Sequence, residues 1–410
     1  MSATLPRQTL KPLDEALIEL LAYAVPLHQI ETVSTFDADG RILAQDLVAS
    51  LNVPAHDNSS MDGYAVRCAD WVDPNTALQV NQRIAAGSSG EVLGSGCAAR
   101  IFTGAPVPTG ADAIVMQEDC LPDGAQVRLA SQPKVGQWIR KCGEDVSSGR
   151  TVLFKGELLT PASTGLAASI GFDVITVAAP VRVALFSTGD ELVMPGDVAP
   201  KDMKPGAIYN SNRFFLRALL QRLGCAVTDM GIVPDKLDAT LAALKIASAE
   251  HDLVLTSGGV SVGEEDHIKP AVQALGRLDL WQIAIKPGKP FAYGKIGNAH
   301  FIGLPGNPVS SFVTFLLLVR PFIRKLQGVT QIAPDSIAAC AHFNWPKADK
   351  RREFLRAKRN LAGGLDLFDN QSSGVLTSAV WADGLVDNPA GTAIAYGDMV
   401  RFIPFASLMS

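Results

Sequence analysis

The chain has 410 residues, of which 47% are hydrophobic and 19% charged, and its formal net charge is −5. Such a composition is typical of a folded globular protein with two to four domains. The acidic balance argues against general nucleic-acid binding, which requires a basic face, and no apolar run reaches the length of a membrane span. Asp14, Glu15 and Glu19 interrupt the apolar pattern of the N-terminus, so we do not expect a signal peptide. Six widely spaced cysteines predict reduced thiols of a cytoplasmic protein.

The first part of the chain predicts a mixed domain with a β insertion. Apolar residues recur at helical spacing from residue 12 to residue 25, after Pro12. Short β-like runs separated by Pro, Gly, Asn and Asp then follow. At Thr160 and Pro161 a short helix is predicted to begin, and it ends near Gly171. We therefore expect residues 1–50 and 140–178 to form one N-terminal mixed domain, into which residues 51–139 are inserted as a β domain.

Residues 179–328 predict an α/β domain because apolar strand-like runs alternate there with helical segments of 12 to 15 residues. This alternation is typical of a doubly wound, mostly parallel sheet. Asn210 or Ser211 is suited to cap the first helix. After residue 329 the pattern returns to short β runs, which predicts a small C-terminal β-barrel at 329–410. The predicted strands are 181–186, 226–233, 253–256, around 281–285 and 301–303, and the main helices are 238–250, one from 268 and 308–326.

Polar loops follow four of these strands, at residues 187–191, 257–266, 286–290 and 304–308. Ligands of such sheets bind beyond the carboxyl ends of the strands, so we expect the loops to meet at one edge. Glycines and hydroxyl groups can hold phosphate there, and Lys286 and Lys289 can neutralise anionic charge. Asp190, Glu191 and Asp266 can hold a cation. Each loop alone could be an ordinary turn; together they predict a metal-assisted site for an anionic ligand that the residues do not identify.

Seven motifs then occur in the order in which one family has them. They are Ser60-Met-Asp-Gly-Tyr-Ala-Val66, Thr103-Gly-Ala-Pro-Val-Pro108, Gly143-Glu-Asp145, Ser187-Thr-Gly-Asp-Glu191, Ser257-Gly-Gly-Val-Ser-Val-Gly263, Lys286-Pro-Gly-Lys-Pro290 and Leu304-Pro-Gly-Asn-Pro308. With these motifs the chain closely resembles the MoeA family of molybdopterin molybdenumtransferases and the similar E domain of gephyrin. The resemblance covers nearly the whole chain, weakens after about residue 330, and implies that the α/β domain is MoaB/Mog-like.

The resemblance also implies a reaction and a site. Molybdate would enter the dithiolene of adenylyl-molybdopterin, and Mg²⁺-assisted hydrolysis would release AMP and molybdenum cofactor. In this hypothesis Glu191 and Asp266 position Mg²⁺ or the attacking water. Asp62, Thr103 and Asp145 complete the catalytic site from the partner subunit of a homodimer. The expected substrate-binding residues are Ser187, Thr188, Gly189, Asp190, Ser257, Gly258, Gly259, Ser261, Lys286, Lys289, Pro305, Asn307 and Pro308.

Some features leave other interpretations open. Gln282 stands where a related protein has lysine, and Ser372 stands where glycine is usual. Arg352 and Arg356 could contact an anion, although we expect them to be surface arginines of an exposed strand. Asp62 is also suited to a turn. The alternative functions are a molybdopterin adenylyltransferase or competence-damage-type pyrophosphatase, and a gephyrin-like dimeric scaffold. The resemblance also suggests two further partners, which are molybdopterin adenylyltransferase and apo-molybdoenzymes.

Overall fold

The computed structural model of the protein describes residues 10–259 and 267–409. The first helix begins directly after Pro12, as predicted, and the three short strands that follow it each pair with a strand much later in the chain. None of the helices in the described ranges is long and apolar enough to cross a membrane. The first elements are α1 (Leu13–Tyr23), β1 (Ile30–Ser34), β2 (Leu47–Val48) and β3 (Asn58–Ser59).

A six-stranded sheet follows, in the segment where the sequence predicts short β runs. Its strand order is β7-β4-β6-β5-β9-β8, and apolar clusters cover both of its faces. The strands are β4 (Gly63–Val66), β5 (Ala77–Ile84), β6 (Cys97–Ile101), β7 (Ala113–Met116), β8 (Cys120–Asp123) and β9 (Gln126–Leu129).

The chain then returns to its starting elements in reverse order. Strand β10 pairs with β3, β11 with β2 and β12 with β1, all antiparallel. The six-stranded sheet is therefore an insertion along the chain, because the strands that precede it pair with the strands that follow it. Thr160 caps the helix between β11 and β12 by accepting from the Ser163 N–H. The elements are β10 (Ile139–Arg140), β11 (Thr151–Leu153), α2 (Pro161–Ser169) and β12 (Val174–Ala178).

The next segment forms the α/β sheet, with strand order β16-β13-β17-β21-β20-β18. Strands β16, β13, β17 and β21 are parallel, and β20 is antiparallel to both of its neighbours. Asn210 caps the first helix. The elements are β13 (Arg182–Thr188), β14 (Leu192–Val193), β15 (Ile208–Tyr209), α3 (Ser211–Arg222), β16 (Ala226–Val233), α4 (Leu237–Glu250), β17 (Leu253–Ser257), α5 (Ile268–Leu275), β18 (Gly276–Gln282), β19 (Ile285–Lys286), β20 (Pro290–Ile296), β21 (Ala299–Leu304), α6 (Pro308–Thr314), a π-helical turn (Phe315–Val319) and α7 (Arg320–Leu326).

Helices cover both faces of this sheet, so the prediction of a doubly wound, mostly parallel sheet is confirmed. Successive residues of β13 alternate between two apolar clusters: Val183 and Leu185 pack with α1, α3 and the helix at 308–326, while Ala184 and Phe186 pack with α4 and α5. A strand that is buried on both faces is apolar at every position, which explains the continuous apolar run in the sequence.

The C-terminal segment forms a small closed β-barrel, as predicted. Strand β23 pairs with both β24 and β25, and β22 and β26 complete the ring. The elements are β22 (Ile337–Ala341), β23 (Arg352–Arg359), β24 (Gly364–Leu367), α8 (Leu376–Trp381), β25 (Gly384–Asn388), β26 (Met399–Pro404) and α9 (Phe405–Leu408).

One predicted strand is wrong. The sequence suggests a single strand around 281–285, but β18 ends at Gln282, and Ile285–Lys286 forms β19, which pairs in parallel with the barrel strand β23. The antiparallel strand β20 was not predicted either, because it begins at a proline and contains Gly294. The domain boundaries at residues 50, 140, 178 and 328 stay predictions.

Candidate functional site

A cavity of about 570 Å³ lies at the carboxyl edge of the α/β sheet. It is formed where β13, β17 and β21 end, because parallel strands deliver their following loops to the same edge. Three of the four predicted loops therefore meet. The lining residues from these loops are Thr188, Glu191, Ser257, Gly258, Gly306, Asn307 and Pro308, and further lining residues are Leu192, Ile208, Tyr209, Asn210, Ser211, Asn212 and Gly374.

Glycine at position 258 allows the first two loops to pack closely. Gly258 has φ +94°, and a Cβ atom at this position would lie 2.9 Å from the carbonyl oxygen of Thr188. Its own N–H donates to the carbonyl of Leu304, 3.0 Å away, and the hydroxyl oxygens of Ser187 and Ser257 lie 3.5 Å apart. Gly259 has φ +66°. A side chain at position 258 would force these backbone segments apart, so glycine there fixes the shape of the cavity wall.

Glu191 supplies a carboxylate to this cavity. The side chain is exposed and lies against Gly189, where an added Cβ would come within 2.5 Å of Glu191 Oε2. In contrast, Asp190 turns toward the loop after β16, where its Oδ1 accepts from the N–H of Asp235 at 3.3 Å. Sequence reasoning did not identify Asp235 as a neighbour of the site, although its position after a parallel strand was a usable signal.

Two predicted residues, Asp266 and Ser261, lie outside the described residues. Within the described ranges, no group of three or more His, Cys, Asp or Glu side chains is arranged to hold a metal ion. Pro305 is buried and does not line the cavity in the described part of the chain, whereas Asn307 and Pro308 do. The fourth loop is held by Asn212, whose Nδ2 donates to the carbonyl of Gly306 at 2.7 Å.

The two predicted lysines lie elsewhere. Lys286 donates from Nζ to Glu353 Oε1 at 2.9 Å and lies 3.3 Å from Asp349 Oδ2, both in the C-terminal segment. Partial burial lowers the pKa of the Lys286 ammonium, but its bonds to these two carboxylates outweigh burial and raise the pKa overall. Lys289 is exposed. Among the described residues, neither lysine lines the cavity. Lys286 belongs to β19, which pairs with the barrel strand β23.

Asp62 and Thr103 form one unit at the six-stranded sheet. Thr103 donates to Asp62 Oδ1 from both its N–H, at 2.8 Å, and its Oγ1, at 2.7 Å. These hydrogen bonds favour the ionised form and lower the pKa of the Asp62 carboxyl. Asp145 is exposed in the segment that returns from this sheet. In the described part of this single chain, none of the three lines the cavity.

The expectation that Arg352 and Arg356 are surface residues is wrong. Arg356 is 1% exposed. Its guanidinium donates to Ser378 Oγ and to the carbonyls of Phe354 and Ser372, and burial lowers its pKa to about 10.

The half-buried Arg352 forms a pair of bonds to Asp387, at 2.6 and 2.7 Å. These contacts were hidden from sequence reasoning because they join separate strands of the barrel. Of the two departures, Ser372 contacts Arg356 through its carbonyl, and Gln282 accepts from Lys11 N–H through its own carbonyl at 2.7 Å. Both contacts use main-chain atoms, which any residue at these positions offers.

Three family models match consecutive parts of the chain. The model described as the MoeA N-terminal region (domain I and II) matches residues 11–171. The one described as a probable molybdopterin binding domain matches residues 184–325, which contain the cavity loops. The MoeA C-terminal region (domain IV) matches residues 338–405.

Curated relatives and a solved structure are similar over most of their lengths. A protein named molybdopterin molybdenumtransferase from Haemophilus influenzae is 44% identical over 346 residues, which are 84% of this chain and 85% of the relative. Molybdopterin molybdenumtransferase 2 of Mycobacterium tuberculosis is 35% identical, over 90% of this chain and 95% of the relative. The crystal structure of the molybdopterin biosynthesis moea protein from Pyrococcus horikosii superposes with a TM-score of 0.78 at 31% identity, and covers 97% of this chain and 99% of that one.

Proposed function

Because this chain belongs to the molybdopterin molybdenumtransferase family, whose members are transferases of molybdenum cofactor biosynthesis, we propose that it inserts molybdate into adenylyl-molybdopterin and releases AMP. The observation that supports this reaction best is the cavity in which three polar loops meet at the carboxyl edge of the α/β sheet. Relatives that span most of the chain carry the molybdenumtransferase name, which favours this reaction over adenylyl transfer or a purely structural role.

The loops supply what a phosphate-linked substrate requires. Thr188, Ser257 and Asn307, whose side chains carry hydroxyl or amide groups, line the cavity. Hydroxyl and amide donors of this kind bind phosphate oxygens. They would hold the pyrophosphate link of adenylyl-molybdopterin in a fixed orientation for hydrolysis.

Mg²⁺ fits the chemistry of the residues present. This ion is usually bound by one or two carboxylates together with substrate phosphates and water, so it does not require a cluster of protein ligands. Glu191 provides one carboxylate at the cavity, and we propose Asp266 as the second. Bound there, Mg²⁺ would neutralise charge on the pyrophosphate. Glu191 would hold the ion against the phosphate oxygens.

We propose that the active enzyme is a cytoplasmic homodimer. Asp62 and Thr103 form a hydrogen-bonded pair, but in the described part of their own chain they do not line the cavity. A second subunit arranged by two-fold symmetry can bring such a pair to the cavity of the first. Asp145 would take part in the same contact. Six free cysteines fit a reducing compartment.

The primary experiment follows AMP release from adenylyl-molybdopterin by the purified protein in the presence of Mg²⁺ and molybdate. We expect molybdate-dependent release, and the absence of release would refute the proposed reaction. Glu191→Gln should reduce kcat about 100-fold or more, because it weakens the binding of the Mg²⁺ that neutralises charge on the reacting phosphate. Glu250→Gln is the matched control, since Glu250 is exposed at the C-terminal end of α4, away from the cavity.

Mixed dimers test the shared site. In a dimer of one Asp62→Asn chain and one Glu191→Gln chain, one of the two sites combines an intact Asp62 with an intact Glu191 from different subunits. Co-expressed chains should therefore recover part of the activity that each variant lacks alone. If the mixture stays as inactive as the separate variants, or if light scattering finds a monomer, the site is not shared between subunits.

A further inference from the structure

An apolar groove of about 490 Å³ adjoins the cavity. Phe215 and Phe312 are in edge contact, with ring centroids 5.7 Å apart, and Phe312 is 7% exposed. Phe214, which is 53% exposed, lines the groove, and so does Val380 of α8. The groove therefore offers aromatic side chains, of which Phe214 is the most exposed, between α3 and α8.

The groove is continuous with the cavity because Tyr209, Asn210 and Ser211 line both. A ligand whose phosphate occupies the cavity can thus place an apolar part in the neighbouring groove. Pockets of this combined character, mostly apolar with a few placed polar groups, are typical of sites for small organic ligands.

Asn210 carries an unused hydrogen-bond donor at this junction. Its side chain is 1% exposed, and its Oδ1 accepts from the N–H of Arg213 at the start of α3. That bond fixes the orientation of the amide, so Nδ2 is the donor that remains. Nδ2 has no hydrogen-bond partner among the residues that the structure describes. A buried donor without an acceptor is destabilising, and an acceptor atom of a bound ligand would satisfy it.

We propose that the groove binds a planar nitrogen heterocycle of the phosphate-linked substrate, and that Asn210 Nδ2 donates to a ring nitrogen or carbonyl oxygen of that heterocycle. This inference rests on the proposed function and adds a binding determinant to it. The ring would lie against Phe214 and Phe312, because offset or edge contacts between aromatic faces add affinity beyond the buried area. Adenine and pterin share this chemistry, and the substrate carries both.

The test uses full-length protein and three probes, AMP, a pterin phosphate and ribose 5-phosphate, titrated by calorimetry. Asn210→Ser removes the Nδ2 amide donor, and its shorter hydroxyl can still accept from the Arg213 N–H to cap α3, so the protein should remain folded. Phe214→Ala removes the exposed aromatic face, and Phe36→Ala is its control, since Phe36 is 99% exposed in another part of the chain.

We expect Asn210→Ser and Phe214→Ala each to weaken the binding of a ring-bearing probe about tenfold. The affinity for ribose 5-phosphate should not change in either variant. The Phe36→Ala protein should bind all three probes like the unsubstituted protein. Weakened AMP binding assigns the groove to adenine, and weakened pterin phosphate binding assigns it to pterin. If neither probe depends on these two residues, the inference is wrong, even where AMP release from adenylyl-molybdopterin is normal. If ring binding depends on them but AMP release fails, the groove assignment stands and the proposed reaction does not.

Discussion

Glu353 is predicted to hold β19 against the barrel. Its side chain is 0% exposed and accepts three hydrogen bonds, from Lys286 Nζ at 2.9 Å, Trp345 Nε1 at 2.7 Å and Asn388 Nδ2 at 3.3 Å. Glu353→Ala should therefore destabilise the protein strongly, because it leaves these donors facing a buried space.

The magnitude follows from the contacts. Removing one partner of a buried ion pair costs about 3–5 kcal/mol. Lys286 is 37% exposed and keeps Asp349 at 3.3 Å, so water and this second carboxylate reduce the loss. We expect about 3 kcal/mol for Glu353→Ala. Glu353→Gln retains one acceptor oxygen for Trp345 and should cost about 1–2 kcal/mol.

Urea unfolding at pH 7, followed by tryptophan fluorescence and by circular dichroism, measures these differences. Asp123→Ala is the control, since its carboxylate pairs with Arg128 in solvent and is 67% exposed; we expect a change below about 0.5 kcal/mol. A loss of less than about 1 kcal/mol for Glu353→Ala would refute the reasoning that β19 is held through this carboxylate.

Two further predictions concern a loop and a histidine. Gly258→Ala should cost about 2 kcal/mol or more, by urea unfolding, and reduce AMP release, because φ +94° and the carbonyl of Thr188 leave no room for Cβ; Gly165→Ala, in helix α2 with open space around it, should be neutral or stabilising. His300 accepts from or donates to Tyr293 Oη at 2.9 Å, and burial lowers its pKa to about 4. The unfolded state takes up this proton first as the pH falls below about 6.5, so stability should fall by about 2 kcal/mol between pH 7 and pH 4, after allowance for partial exposure. His300→Gln should reduce this pH dependence in urea titrations, and an unchanged dependence would contradict the assignment.

The α/β segment was predictable because its signals are local. The continuous apolar run of β13 reflects burial on both faces, and Asn210 marks the start of α3. The glycines at 258 and 259 indicate a tight loop at the end of a strand, and both have positive φ angles. Each signal lies within one element or one turn, where spacing and residue type are sufficient.

The contacts between distant segments were not predictable. Nothing near Lys286 in the sequence indicates that Glu353 is its partner, and the pairing of β19 with β23 depends on how the barrel lies. The burial of Arg356 likewise depends on carbonyl groups that become acceptors only after the barrel closes. The sequence pattern therefore identified three loops that form the cavity. It wrongly assigned Lys286 and Lys289 to the same cavity, because that assignment rested only on their position after a predicted strand.

The paired strands β3 and β10 have a consequence for protein engineering. The chain leaves toward the six-stranded sheet and returns from it through residues that are hydrogen-bonded neighbours, Asn58–Ser59 and Ile139–Arg140. Ends this close, about 5 Å between Cα atoms, can be joined by a two-residue turn. Excision of the sheet should leave a shortened protein that still folds and binds ligand in its cavity but lacks Asp62 and Thr103. Such a protein would separate substrate binding from turnover in a single deletion.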